Sequence, residues 1–206
     1  DQDFEIFLAT APGLEAVLRE EVRFKGFKQP KVVPGGVVIK GGWPVVWRAN
    51  LWVRGAGRVL ARIAAFRAVH MAQLDSLAHR VPWDSVLRRD VPFRVEASCA
   101  GSRLYHSGAV AQRIETAISD ALGRTASPDA AIVVMARIEN DLCTISVDTS
   151  GEPLHKRGYK EAVNAAPMRE TMASLFLRQC GFDGSETVID PMCGTLPFLG
   201  QSLRVL

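Results

Sequence analysis

Between Tyr105 and Leu122, the residues Val110, Ile114, Ala117, Ile118 and Leu122 return at three- and four-residue intervals. That is one apolar stripe along a helix. Two β-branched runs follow, Ile132 to Ile138 and Leu142 to Val147, with only Glu139-Asn140-Asp141 between them. So short a break predicts a hairpin. Ahead of the helix, Val91 to Ser98 alternates, with Phe93, Val95 and Ala97 on one side and Arg94 and Glu96 on the other. This is the pattern of a strand with one buried face. One-sided helix and one-sided strands are stable only when packed together, so the expected fold class is α+β.

The flanking segments repeat the mixture. Phe4 to Ala9 reads as a strand, and Thr10-Ala11-Pro12-Gly13 as a helix start with proline where its missing N–H costs nothing. Leu14, Val17, Leu18 and Val22 form the next helical face, closed by Gly26. Val32 to Lys40 reads as one strand broken by Pro34-Gly35-Gly36, with Val37 to Lys40 its useful part. A short helix from Trp43 to Asn50 and a strand from Arg58 to Phe66 complete a β-α-β-α-β order. Helices are expected at His70 to His79 and from Pro82 to Arg88. After a turn at Gly151-Glu152-Pro153, a helix starting at Ala166-Pro167 carries Met168, Met172, Leu175 and Phe176 on one face and ends at Gly181. Thr187 to Asp190 reads as a short buried strand running into Pro191-Met192-Cys193-Gly194.

Composition excludes several classes. Of the 206 residues, 48% are hydrophobic and 23% charged, enough apolar surface to offset chain entropy. No uncharged apolar run approaches the roughly 20 residues of a membrane span. The first residues, Asp-Gln-Asp-Phe, are not those of a signal peptide. Cys99, Cys143, Cys180 and Cys193 form no C-x-x-C pair. They read as reduced thiols of a cytoplasmic protein, with no metal site. Residues 1–66 hold 10 Lys/Arg against 6 Asp/Glu, whereas 67–150 hold 9 against 10 and 151–206 hold 6 against 6. The mildly basic first segment suits phosphate binding and equally a solvated surface.

Three stretches carry possible chemistry. Residues 102–114 feed a loop with Ser102 and Arg103 into a helix start with free N–H groups, able to bind phosphate. A capped core helix beside an exposed arginine has the same composition. Residues 154–160, Leu-His-Lys-Arg-Gly-Tyr-Lys, interleave cations with an aromatic ring, suited to an RNA backbone and an unstacked base, or to a plain linker. Asp190 to Gly194 puts an acid and a glycine turn after a strand, where doubly wound sheets bind cofactors.

Taken in order, SRLYHSGAVAQRIETAI (102–118), DTSGEPLHKRGYK (148–160), APMRET (166–171) and VIDPMCG (188–194) resemble the THUMP-domain RNA methyltransferases. The likeness is strongest to bacterial enzymes that methylate N2 of a guanine in large-subunit ribosomal RNA. The resemblance implies a ferredoxin-like domain over 1–66, a THUMP RNA-binding domain over 67–150 and a connector over 151–160. It implies that 161–206 is the truncated start of a Rossmann-like methyltransferase domain that uses S-adenosylmethionine. The implied RNA-binding residues are Arg103, Arg113, Lys156, Arg157 and Tyr159. The implied cofactor-binding residues are Asp190, Pro191, Cys193 and Gly194.

The sequence also departs from the family. Thr195-Leu196-Pro197-Phe198 follows Gly194 where the family continues Ser-Gly-Thr, and the family's Asn-Pro-Pro-Tyr motif is absent from the 206 residues. The expectation is an RNA-recognition portion with no catalytic residue of its own, inactive alone and not binding S-adenosylmethionine appreciably. Its RNA partner would be ribosomal RNA in preference to transfer RNA. The alternative is a stand-alone THUMP adapter that delivers RNA to a separate enzyme.

Overall fold

A computed structural model describes residues 3–156, 168–191 and 199–200. The chain divides into two compact units, Asp1–Val59 with Glu152–Leu206, and Leu60–Gly151.

The first unit begins with strand β1 (Phe4–Ala9), helix α1 (Glu15–Phe24), strands β2 (Lys31–Val33) and β3 (Gly36–Gly41), and helix α2 (Trp43–Trp52). β3 pairs antiparallel with β1, from Phe4↔Gly41 to Ala9↔Gly36. Lys31 to Val33 corrects the expectation of a single interrupted strand, because it is a separate strand paired with β3. The reason is the Pro34-Gly35 turn. Proline presets the first corner, and Gly35 sits at φ +79°, open to a residue without Cβ. The chain therefore reverses there.

Leu14, just ahead of α1, and Leu18 and Val22 on it pack into a core with Ile6, Leu8, Ile39 and Val46, as their spacing predicts. One polar residue shares this interior: Glu21 is 1% exposed. Its carboxylate accepts the backbone N–H groups of Arg54 at 2.6 Å and Gly55 at 2.8 Å. A buried charge persists when bonded in this way.

A short 3-10 turn (Leu154–Lys156) and helix α6 (Glu170–Gln179) return to this unit. Leu154 and Leu175 join its core, with Met172 and Phe176 against it. Gly181 follows the helix at φ +79°. The expected helix start at Ala166-Pro167 lies outside the described residues, and Met168 precedes the helix. Thr187 to Asp190 corrects another expectation. It forms no strand, and Ile189 is 82% exposed. Among the described residues no strand lies beside it to complete backbone pairing, and β-branched residues alone do not make a buried strand.

The second unit takes up strand β4 (Arg58–Arg67), then helices α3 (Met71–Ala78) and α4 (Trp83–Val86), strand β5 (Phe93–Ala100), helix α5 (Ser107–Leu122), and strands β6 (Ile132–Glu139) and β7 (Leu142–Asp148). Its strands lie in the order β4-β7-β6-β5. β5 and β6 run parallel, from Phe93↔Ile132 to Ala100↔Glu139. A parallel pair needs a crossover, and α5 supplies it. β7 is antiparallel to both β6 and β4. The β6–β7 hairpin turns on Asn140 and Asp141 at φ +50° and +62°. Two positive φ angles define the tight turn whose twist matches the strands.

Val110, Ile114, Ala117, Ile118 and Leu122 are all buried, against Leu74, Trp83, Phe93, Val134 and Ile145. Trp83 Nε1 donates to the Ala78 carbonyl at 2.9 Å, so its one polar atom is satisfied inside the core. The α+β class expected from the sequence is the one observed. Among the described residues, no helix is long and apolar enough to cross a membrane, and no group of His, Cys, Asp or Glu is arranged to hold a metal.

Candidate nucleic-acid interface

The amino end of α5 is the best-built polar surface of the second unit. The helix begins at Ser107, two residues later than expected, because His106 is extended at φ −83°, ψ 90°. No side chain caps it, so the first-turn N–H groups face solvent. Tyr105 is 72% exposed, with its ring centroid 4.1 Å from that of His106. A helix start with open donors favours anions, and an exposed ring pair offers a stacking face.

The loop that presents these groups is fixed by the hairpin tip. Ser102 Oγ donates to the Ala100 carbonyl at 2.8 Å and accepts the Asp141 N–H at 3.1 Å. The Asp141 carboxylate accepts the Arg103 N–H at 2.8 Å and lies 4.0 Å from its guanidinium. On its other side, the hairpin carbonyls of Asp141 and Asn140 accept from Ala68 N–H and the Arg67 guanidinium. The hairpin tip, itself tied to the end of β4, therefore holds the loop, and Arg103 projects from it, largely exposed.

The other expected RNA-binding residues are placed as follows. Arg113 is on α5, 3.9 Å from Asp75 of α3. Asp75 and Asp120 also flank His79, whose Nδ1 bonds the Asp75 carbonyl at 2.8 Å and whose Nε2 lies 3.1 Å from the Asp120 carboxylate. Lys156 belongs to the first unit, with its amino group 2.9 Å from Glu152, whose carboxyl it holds below the usual range. Arg157 and Tyr159 lie outside the described residues. Sequence reasoning did not single out Tyr105, His106 or Asp141. The two rings stand just before the first buried residue of the helix, a signal available in the sequence. Asp141 acts on a loop 38 positions away, which no local pattern reveals.

For the cofactor set, Asp190 is half-buried and Pro191 exposed, while Cys193 and Gly194 lie outside the described residues. With no strand formed at 187–190, the described residues build no strand end from which a carboxylate would be aimed at a nucleoside.

Comparison with known proteins agrees with this architecture. Residues 5–60 match the RlmL ferredoxin-like domain, 68–148 the THUMP domain, and 157–199 the RMKL-like methyltransferase domain. The fold class is thus a ferredoxin-like unit joined to a THUMP unit. The chain is 32% identical over 196 residues to the ribosomal RNA large subunit methyltransferase K/L of Psychromonas ingrahamii, covering 92% of this chain and 26% of that protein. It is 32% identical over 200 residues to the putative RNA methyltransferase slr0064 of Synechocystis, covering 94% and 52%. It spans about half the length, or less, of these curated relatives. A solved structure from Listeria monocytogenes, described as a predicted N6-adenine-specific DNA methylase, has a TM-score of 0.91 at 31% identity, covering 99% of this chain and 55% of that one. The fold is also that of SMU.472, a putative methyltransferase complexed with SAH, with a TM-score of 0.88 at 24% identity, covering 100% and 56%. In sequence, domain order and fold the chain is similar to the THUMP-domain RNA methyltransferases.

Proposed function

We propose that this chain is the RNA-recognition portion of an S-adenosylmethionine-dependent methyltransferase acting on N2 of a guanine in ribosomal RNA. The observation that carries the reading is the braced loop at the amino end of α5, which presents Arg103 beside the Tyr105–His106 ring pair. Arg103, Arg113, Lys156 and Arg157 contact phosphates and set the register of the RNA, and Tyr159 stacks on a base. The functional modules are 1–66, 67–150, the connector 151–160, and 161–206. The ribosomal target is supported by the name of the Psychromonas relative, and the guanine by the sequence resemblance. S-adenosylmethionine would supply the methyl group when bound, and Asp190, Pro191, Cys193 and Gly194 are the residues that the sequence resemblance assigns to holding it. The target base must leave its stack to react. The role of this chain is to hold the RNA so that such a base is presented, which is a matter of orientation and not of bond chemistry.

The test is fluorescence anisotropy with a structured ribosomal RNA fragment and a transfer RNA at two salt concentrations. The double variant Arg103→Glu with Arg157→Glu should weaken both complexes. It should also flatten the salt dependence by roughly one to two units of slope. Tighter wild-type binding to the ribosomal fragment is expected. Unchanged affinity and slope in the variant would remove these arginines from the site.

A further inference from the structure

The first unit carries an aromatic surface that the α5 site does not use. On α2, Trp47 is 62% exposed and Trp52 is 60% exposed, with Leu51 also exposed between them. Five residues apart, the two indoles stand about 140° apart around the helix and flank its exposed side, and large apolar side chains exposed in this way mark an interaction surface. Their setting is cationic. The Lys25 amino group stands 5.9 Å over the Trp52 ring. Arg48, exposed on the same helix, donates one of its five N–H groups to the Lys25 carbonyl and rests 4.5 Å over the Phe27 ring. Its guanidinium is therefore held in place next to Lys25, whose amino group stands over the Trp52 ring. Residues 22–59 contain eight Lys/Arg and no Asp or Glu.

We infer that this α2 face is a second RNA surface, on which unpaired bases stack against Trp47 and Trp52 while Lys25 and Arg48 hold the intervening phosphates. The two indoles are five residues apart on the helix, about 7.5 Å along its axis, so they offer separate platforms. Flat aromatic faces interleaved with fixed cations are what single-stranded nucleic acid needs, because every base has a π-face and every linkage a charge. A second copy of this chain fits less well, since apposing two such faces sets Lys25 and Arg48 against their like. The inference rests on the RNA reading above. It differs from it in using helix α2 and in selecting unpaired over paired RNA.

The test uses the full chain with two labelled RNAs, a single strand of about 12 nucleotides and a fully paired hairpin. Four proteins are compared by anisotropy at two salt concentrations: wild type, W47L/W52L, W47F/W52F and R103E. All substituted positions are exposed, and circular dichroism is the check that each variant folds. W47L/W52L should weaken single-strand binding roughly tenfold or more, with the salt slope unchanged, because stacking and not phosphate contact is lost. W47F/W52F, which keeps the rings, should retain most of the affinity. R103E should weaken both RNAs and lower the slope. If W47L/W52L binds the single strand like wild type while R103E does not, the α2 face is not an RNA surface and the α5 reading stands. If the phenylalanine variant fails as badly as the leucine one, stacking is refuted. Should sedimentation reveal a dimer, or an acidic peptide compete, only when both indoles are present, the surface binds protein. Wild type binding neither RNA would overturn both readings.

Discussion

Gly55 decides how α6 seats on the ferredoxin-like unit, and a double-mutant cycle can test it. A Cβ added at Gly55 would lie 2.3 Å from Leu175 Cδ2, 2.6 Å from Leu175 Cγ and 2.8 Å from Glu21 Oε2. Neither neighbour can move cheaply. Leu175 is 1% exposed in the core, and the Glu21 carboxylate is held by two backbone N–H groups. Gly55→Ala should therefore cost about 1–3 kcal/mol for overpacking. Loosening the Gly55–Glu21 bond adds about 1 kcal/mol. Leu175→Ala should cost about 2–5 kcal/mol through lost burial and the cavity left behind. The atoms it removes are those that clash with the methyl group added by Gly55→Ala, so that methyl enters the vacated space. The double variant should then be less stable than Leu175→Ala by only about 1 kcal/mol, that lost at the Glu21 bond, a coupling of about 1–3 kcal/mol. Because the chain has two units, a single global midpoint is the wrong observable. Native-state hydrogen exchange of the β1 and β3 amides reports on the first unit alone. Additivity within about 0.5 kcal/mol would mean that Leu175 does not pack on Gly55. The result bears on function, because α6 lies within the residues matched by the methyltransferase domain.

Two further outcomes follow from titrating groups. The His79 pKa is raised above 6.5, first by the Asp75 carbonyl bond and then by the Asp120 carboxylate. A folded pKa above the unfolded one gives stability that is complete below the unfolded value and lost as pH rises through the folded value. The stability of the second unit, read from native-state hydrogen exchange of the β6 and β7 amides from about pH 5.5 to about 8.5, should show the deficit of His79→Gln shrinking as pH rises; a constant deficit would remove His79 from the α3–α5 ion pairing. The Cys143 thiol is pushed up to about 12, mainly by burial and further by Cys99, while Cys180 is exposed. Iodoacetamide at about pH 8 should label Cys180 and spare Cys143 until denaturant is added. Mass-spectrometric detection of native Cys143 adducts would contradict that burial.

Local pattern was sufficient for α5, because a stripe of five apolar residues at helical spacing has only one way to be buried. The same holds for Leu14 just ahead of α1 and Leu18 and Val22 on it, and for the β6–β7 hairpin, where the break between strands is too short for anything but a tight turn. The order of motifs from residue 102 to 194 was sufficient for the family resemblance. Tertiary structure alone decided the rest. Lys31 to Val33 became a strand because β3 was there to pair with it, and Thr187 to Asp190 did not, although its residues favour extension. Glu21 lies on α1 among solvent-facing charges in sequence, and only the returning 54–55 backbone makes its burial tolerable. Trp47 and Trp52 are large apolar residues, yet α2 turns them outward. Arg103 was visible in its loop, but the Asp141 brace that aims it was not. Periodicity records which side of an element is apolar. Backbone pairing, buried charge and the aim of a loop depend on partners tens of residues away, and those meet only in the folded chain.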